Sequence, residues 1–353
     1  MAKHQGFTLI ELMVSIALGL LVVAAGLSLY LASQRSMNLQ NGLGELQQNA
    51  IFGLSQLTHD LRHVNLNTAS TQRVNNKLSG SGIIFSTANL PTSLSGVNVN
   101  LLTKQAKDVG GTDLDSDQLT IQFIPPYVES TSTAGADTID TTADDITTIT
   151  SSTNMVDCEG NTLNRNVSGE TATASELTAS KPIIVQRYYI AEMKKGTASY
   201  SPKRYSLYCD AGYYNSGDTT ITGLSTDPTT GGEQIIQNVD AFKVLLGVQN
   251  KSGQMRYVTI DDYLTSLMPN SVTTVADYVN VVSVNVAVLA HSSNPIGVDK
   301  NIDNDKEFNL FGNNANGAYG VVKLKAAQKT DTKYIREAFS QVVAFRNTLG
   351  GEW

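Results

Sequence analysis

The sequence predicts an α+β fold: one long N-terminal helix laid on an antiparallel β-sheet. Three observations predict it. Residues 12–33 form a run of 22 residues without a charge. An apolar stripe at helical spacing continues that run. Beyond residue 66 the chain changes to short apolar runs separated by Ser, Thr, Asn, Asp and Gly, the pattern of strands and turns.

The first element follows from length and chemistry. A bilayer core about 30 Å thick takes roughly 20 apolar residues as helix, so residues 12–33 can span one. The leading hexapeptide MAKHQG carries Lys3 as its one firm positive charge. A secretory signal would have an apolar region of only about 7–15 residues, so this run is too long for one. Glu11 interrupts the apolar stretch near its start. A carboxylate at the centre of a membrane helix costs about 2.5–3.5 kcal/mol, less where it reaches the headgroups, so a tolerated interfacial charge is one reading of Glu11. No proline precedes Pro91, and Gly19 and Gly26 are the weak points of the run.

Past the run, Leu39, Leu43, Leu46, Ala50, Leu54, Leu57, Leu61 and Val64 recur in steps of three and four. Gln40, Gln47, Gln48, Asp60 and Arg62 are assigned to the other face. This is an amphipathic helix whose stripe is expected to pack on the chain's own core. From Phe7 to Leu66 it would extend roughly 90 Å.

Strands are expected over 82–86, 118–124, 182–190, 205–209, 241–248, 256–260 and 279–289. Phe242, Val244 and Leu246 alternate with Lys243 and Leu245, a half-buried pattern. The β-branched run VNVVSVNVAVL reads as a central strand. A second helix is expected around 338–346, with 341–345 as an alternative strand. The Ser/Thr/Asp/Ala-rich stretch 129–153 reads as an exposed loop or a thin β-excursion.

Composition limits function. Of 353 residues only 16% are charged, against about 25% in ordinary soluble proteins. The 25 Lys and Arg are scattered among 32 Asp and Glu, for a net charge of −7, so no basic patch can track a phosphate backbone and no nucleic-acid partner is expected. Four His and two Cys exclude a Cys/His zinc framework. Asp113, Asp115 and Asp117 superficially resemble a calcium loop, as do Asp299, Asp303, Asp305 and Glu307. Counted from Asp113, however, the glycine and glutamate that an EF-hand requires are replaced by Gln118 and Ile124. No metal is expected there; the first cluster serves as a polar turn before a strand. No G-x-S-x-G, H-E-x-x-H or phosphate loop occurs. His4 stands in the leading hexapeptide, His59 and His63 on the predicted helix, and His291 after a strand without an evident partner. No cofactor and no enzymatic activity are expected.

The string Gly6-Phe7-Thr8-Leu9-Ile10-Glu11-Leu12-Met13-Val14 resembles the class III signal of type IV prepilins and pseudopilins. The resemblance covers about the first 30 residues. It implies that a membrane prepilin peptidase cuts between Gly6 and Phe7, that the new Phe7 amine is N-methylated, and that Glu11 faces a neighbouring subunit's amine in a filament. Such a pairing sets subunit register, because an unpaired buried carboxylate is costly. The chain then divides into a leader (1–6), a membrane and filament-core helix (7–33), its amphipathic continuation (34–66) and a β-rich head (67–353). The signal sends that head to the periplasmic side, where Cys158 and Cys209 are expected to pair; two unpaired thiols are the alternative.

Later segments resemble the PilW family of minor pilins. They are His59-Asp60-Leu61-Arg62, Asp117-Gln118-Leu119-Thr120-Ile121, VDAFKVLLGVQN from residue 239, VVSVNVAVLAHSS, and IREAFSQVVAFRNTL. His63-Val64-Asn65 departs from the Ala-Gly common at that step. The resemblance implies a pilin-like fold and a priming complex with other minor pilins and the major pilin. The chain would sit in inner-membrane lipid before assembly and at the pilus tip afterwards. A minor pseudopilin of a type II secretion system and a pilus-tip adhesin are the alternatives.

Overall fold

The computed structural model describes residues 8–69, 71–105, 116–133, 145–151, 155–162, 181–195, 198–200, 203–225, 231–295, 302–312, 317–329 and 333–346. Helix α1 (Leu9–Leu61) is a single uninterrupted element of 53 residues, about 80 Å long at 1.5 Å per residue. It runs straight through Gly19 and Gly26 in sequence, and an added Cβ at either would meet nothing within 4 Å. It stops short of Leu66 because the chain turns through Asn65 (φ 60°) and Asn67 (φ 55°). Asn is among the residues that tolerate the left-handed region best. Asn65 is also held there, since its Oδ1 accepts the Gly82 N–H at 2.6 Å.

Fourteen strands follow among the described residues. The first seven are β1 (Leu119–Phe123), β2 (Tyr127–Thr133), β3 (Asp145–Ser151), β4 (Ile183–Glu192), β5 (Lys194–Lys195), β6 (Ala198–Ser199) and β7 (Tyr205–Tyr214). The rest are β8 (Glu233–Ile236), β9 (Val239–Gln249), β10 (Met255–Val258), β11 (Asn280–His291), β12 (Phe308–Asn309), β13 (Val321–Val322) and β14 (Arg336–Ala344). Two four-stranded sheets form the head, in the orders β1-β4-β7-β8 and β10-β9-β11-β14. Every pairing in them is antiparallel, with Tyr188 opposite Cys209 in the first sheet and Val286 between Val244 and Gln341 in the second.

The stripe on α1 packs into this head as its spacing predicts. Leu46, Ala50, Leu54, Leu57, Leu61 and Val64 are buried. The last four join a core with Ile121, Tyr188 and Leu207 of the first sheet and Val244, Leu246 and Val286 of the second. Gly53 faces β8, where an added Cβ would stand 2.7 Å from the Ile235 carbonyl oxygen and collide with Ile236. The absence of a side chain is what allows helix and strand to approach so closely.

The structure corrects several sequence expectations. Residues 338–346 do not form a helix. They lie mostly in β14, which pairs along β11 from Ser283↔Ala344 to His291↔Arg336. The helix-forming Glu, Ala and Gln side chains yield to the backbone groups that β11 offers on that side. Residues 82–86 make only one bridge, Ile83 to Ile121. Side chains take over the backbone donors there, with Asn89 Oδ1 accepting from Phe85 and Ser86 and Asn65 Oδ1 from Gly82. The strand expected at 256–260 is β10, and Thr259 caps a helical turn (Ile260–Asp262) in its place. Strand β9 is buried on both faces rather than one: Phe242, Val244 and Leu246 join the main core, and Ala241 joins a second cluster with Leu289, Leu310, Val322 and Leu324. Asp60 is buried too, on the same side of α1 as the apolar stripe. The 129–153 stretch is in part a thin β-excursion: β2 and β3 pair from Tyr127↔Ser151 to Thr133↔Asp145, and residues 134–144, 152 and 153 lie outside the described residues.

Cys158 and Cys209 are bonded, with Cα atoms 6.1 Å apart and a sequence separation of 51. The bridge ties the segment before β4 to β7. In the chain-entropy view a closed loop of that length contributes about 4 kcal/mol. A Cys158→Ser/Cys209→Ser chain is expected to lose about that much in a urea titration; an unchanged midpoint would contradict it.

Candidate functional site

The functional surface begins with what the fold leaves uncovered. Every described residue from 8 to 38 is exposed, including Leu9, Ile10, Leu20, Leu21, Val22 and Leu29. This part of α1 is long and apolar enough to cross a membrane, and none of its most apolar window is buried within the chain. At about 1.5–3 kcal/mol for each large apolar side chain, leaving it in water would cost tens of kcal/mol. Lipid or other apolar helices must cover it.

Glu11 stands in the first turn of this cylinder. Thr8 is the N-cap: its hydroxyl oxygen accepts the Glu11 N–H at 3.3 Å. The Thr8 N–H and hydroxyl both donate to Glu11 Oε2, at 3.0 and 2.9 Å. This is a reciprocal capping box. Its sequence signature is the Thr-x-x-Glu string of residues 8–11. The carboxylate therefore has a local partner in the single chain and stands one turn into an apolar rod. Gly6 and Phe7 lie outside the described residues, as do Asp113, Asp115 and Asp299.

The other half of the surface is a head stiffened by buried polar pairs. Tyr188 donates to Asp60 Oδ2 at 2.9 Å, joining α1 to β4. Burial pushes the Asp60 carboxyl above its ordinary range, against the hydrogen bonds that pull it down. Arg187 and Asp210 pair across β4 and β7 at 2.6 Å with both side chains buried. The guanidinium also lies 4.3 Å over the Tyr189 ring. Arg336 and Asp240 pair at 2.7 Å. Asp117, expected as a polar turn, is a buried acceptor for the Val244 N–H at 2.8 Å and for Tyr319, with Lys243 Nζ at 3.7 Å. Asp305 and Glu307 pair at the surface with Lys329 and Lys323. These groups hold shape; they do not converge on a reacting centre.

His291, at the end of β11, is buried against Tyr334. Burial holds its imidazole below the ordinary 6.5, with Arg336 and Arg204 helping and Asp240 opposing. The unfolded chain therefore takes up this proton first as pH falls below 6.5, and stability declines from there toward the folded value. Asp60, Glu159 and Asp210 are raised by burial and act in the opposite sense at lower pH. A His291→Gln comparison isolates the histidine: between about pH 7.5 and 5.5 the Tm difference should move in the variant's favour by about 2 °C. A constant difference would contradict this.

The prokaryotic N-terminal methylation motif matches residues 1–27, the segment that holds Glu11 and the start of the uncovered helix. The family described as type IV pilus-assembly protein W, PilW, matches residues 187–347, from β4 to the end of β14. Over these two segments the chain is similar to the PilW family of pilus-assembly proteins and to type IV prepilins. Among solved structures, the chain is similar to the type IV-like pilin TTHA1219 from Thermus thermophilus, at 14% identity and a TM-score of 0.30, over 86% of this chain and 98% of that one. No curated protein matches it. The pilin signal implies processing by a peptidase and partners among pilus proteins, and with the apolar helix it points to membrane anchoring.

Proposed function

We propose that this protein helps to prime type IV pilus assembly as part of a tip or initiation complex with other minor pilins and the major pilin. The observation that carries this reading is an uncovered apolar half-helix, headed by an acid, built in one piece with a β-rich head. Residues 1–6 are removed as a leader by prepilin peptidase between Gly6 and Phe7, and Phe7 is N-methylated. Residues 7–33 hold the chain in the inner membrane with residues 67–353 as a periplasmic head, and residues 34–66 connect them. On assembly, lipid contact is exchanged for packing against neighbouring helices, and Glu11 meets a neighbour's Phe7 amine. A preassembled cluster of such helices lowers the nucleation cost of the first filament turn. The protein acts by assembly rather than by turnover of a substrate.

Deleting the gene tests this. Surface pili are expected to fall sharply while the major pilin is still made, and unchanged piliation would contradict the reading. The PilW match supports a pilus role over a secretion pseudopilin. A second reading, a tip adhesin, draws on the β2–β3 ribbon. Removing residues 129–153 would favour it if adhesion is lost while pilus number is kept.

A further inference from the structure

The end of α1 and the turn that follows it carry a cluster of possible metal ligands. His59 and His63 stand four residues apart on one helical face, with Asp60 between them in sequence, and one candidate ligand atom from each of the three lies within 4.8 Å of the others. Their imidazole rings meet edge to face with centroids 4.8 Å apart. His59 Nδ1 is 3.3 Å from Asp60 Oδ1. Zinc bonds to nitrogen and oxygen run about 2.0–2.2 Å, which makes the ligand-to-ligand edge of a tetrahedral site about 3.3–3.5 Å. One edge of such a site is thus already drawn, and the His63 ligand atom stands within 4.8 Å of the other two.

Asp60 and His63 are each oriented by what packs behind them. Asp60 is 5% exposed; its Oδ2 accepts the Tyr188 hydroxyl at 2.9 Å, which leaves Oδ1 toward His59 and the Gln56 amide. His63 is half-buried, its ring 5.4 Å from that of Phe123. The His59 side chain is 67% exposed and forms the open side. The Asp60 carboxylate is the one anionic ligand of the three. Two imidazoles and one carboxylate make a donor set for a borderline divalent ion, with water in the fourth position.

We propose that His59, Asp60 and His63 bind a Zn²⁺-class divalent ion at the end of α1. The ion clamps the final helical turn where the chain leaves α1 for the head. Co²⁺ serves as the spectroscopic probe, titrated into the full-length protein in detergent after chelator treatment. One equivalent should saturate a visible absorption band of tetrahedral cobalt, and Zn²⁺ should displace it. His59→Gln/His63→Gln should abolish the band, with near-UV circular dichroism confirming an intact head. Tyr188→Phe, which only orients Asp60, should weaken affinity by about tenfold. Absence of a saturable band in the natural chain, or a band of equal affinity in the double-histidine variant, overturns the proposal. The natural-chain titration decides alone if the variant does not fold.

Discussion

A Glu11→Gln chain is expected to reach the membrane and be processed like the natural protein, yet to enter surface pili at about a tenth of the natural level or less. The structure makes this substitution a clean probe. Gln serves as well as Glu at the third position of a capping box, so the cap between Thr8 and residue 11 survives and the helix starts where it did. What is lost is the negative charge. In the proposed assembly that charge would meet a neighbour's terminal ammonium, and removing one partner of a buried pair costs about 3–5 kcal/mol because the other is left unpaired. A tenfold effect corresponds to only about 1.4 kcal/mol, so the expected loss has margin. Sheared pili and membrane fractions, blotted for the protein, measure it. Natural incorporation by the variant would mean that Glu11 is no more than an N-terminal cap.

Asp210→Ala is expected to be the most damaging single change in the head, costing about 3–5 kcal/mol. Arg187 and Asp210 are 0% and 2% exposed at the side chain, and Nε and Nη1 of Arg187 already lack hydrogen-bond partners. Without the carboxylate the guanidinium keeps only the Tyr189 ring beneath it. The Ser225 N–H loses its acceptor as well. Arg187→Met with Asp210→Ala removes both charges and should cost clearly less than Asp210→Ala alone. Urea titrations of the three chains test this; a loss below about 1 kcal/mol for the single change would contradict it.

Much of the architecture was legible because it is written in local periodicity. The charge-free run 12–33 and the stripe from Leu39 to Val64 specify α1 and the face it buries. The β-branched run in β11 specifies an interior strand, with β9 and β14 on either side of it. What stayed hidden depends on partners distant in sequence. Asp60 reads as a surface residue until Tyr188, 128 positions away, reaches it with a hydroxyl. Lys243 reads as the wet side of a strand until Asp117 and Tyr319 enclose it. The edge strand β14 reads as helix because its residues favour helix, and only the ladder with β11 overrides them. The disulfide was reachable from two cysteines and a compartment, but its place beside the Arg187–Asp210 pair was not.

Cleavage between Gly6 and Phe7 underlies every step of the proposed assembly, and mass spectrometry of the N-terminal peptide from membrane-extracted protein tests it directly. A peptide starting at Phe7 and carrying one added methyl group on its amine is the predicted result. A chain that still starts at Met1 in the membrane, or one cut elsewhere than between Gly6 and Phe7, would contradict it.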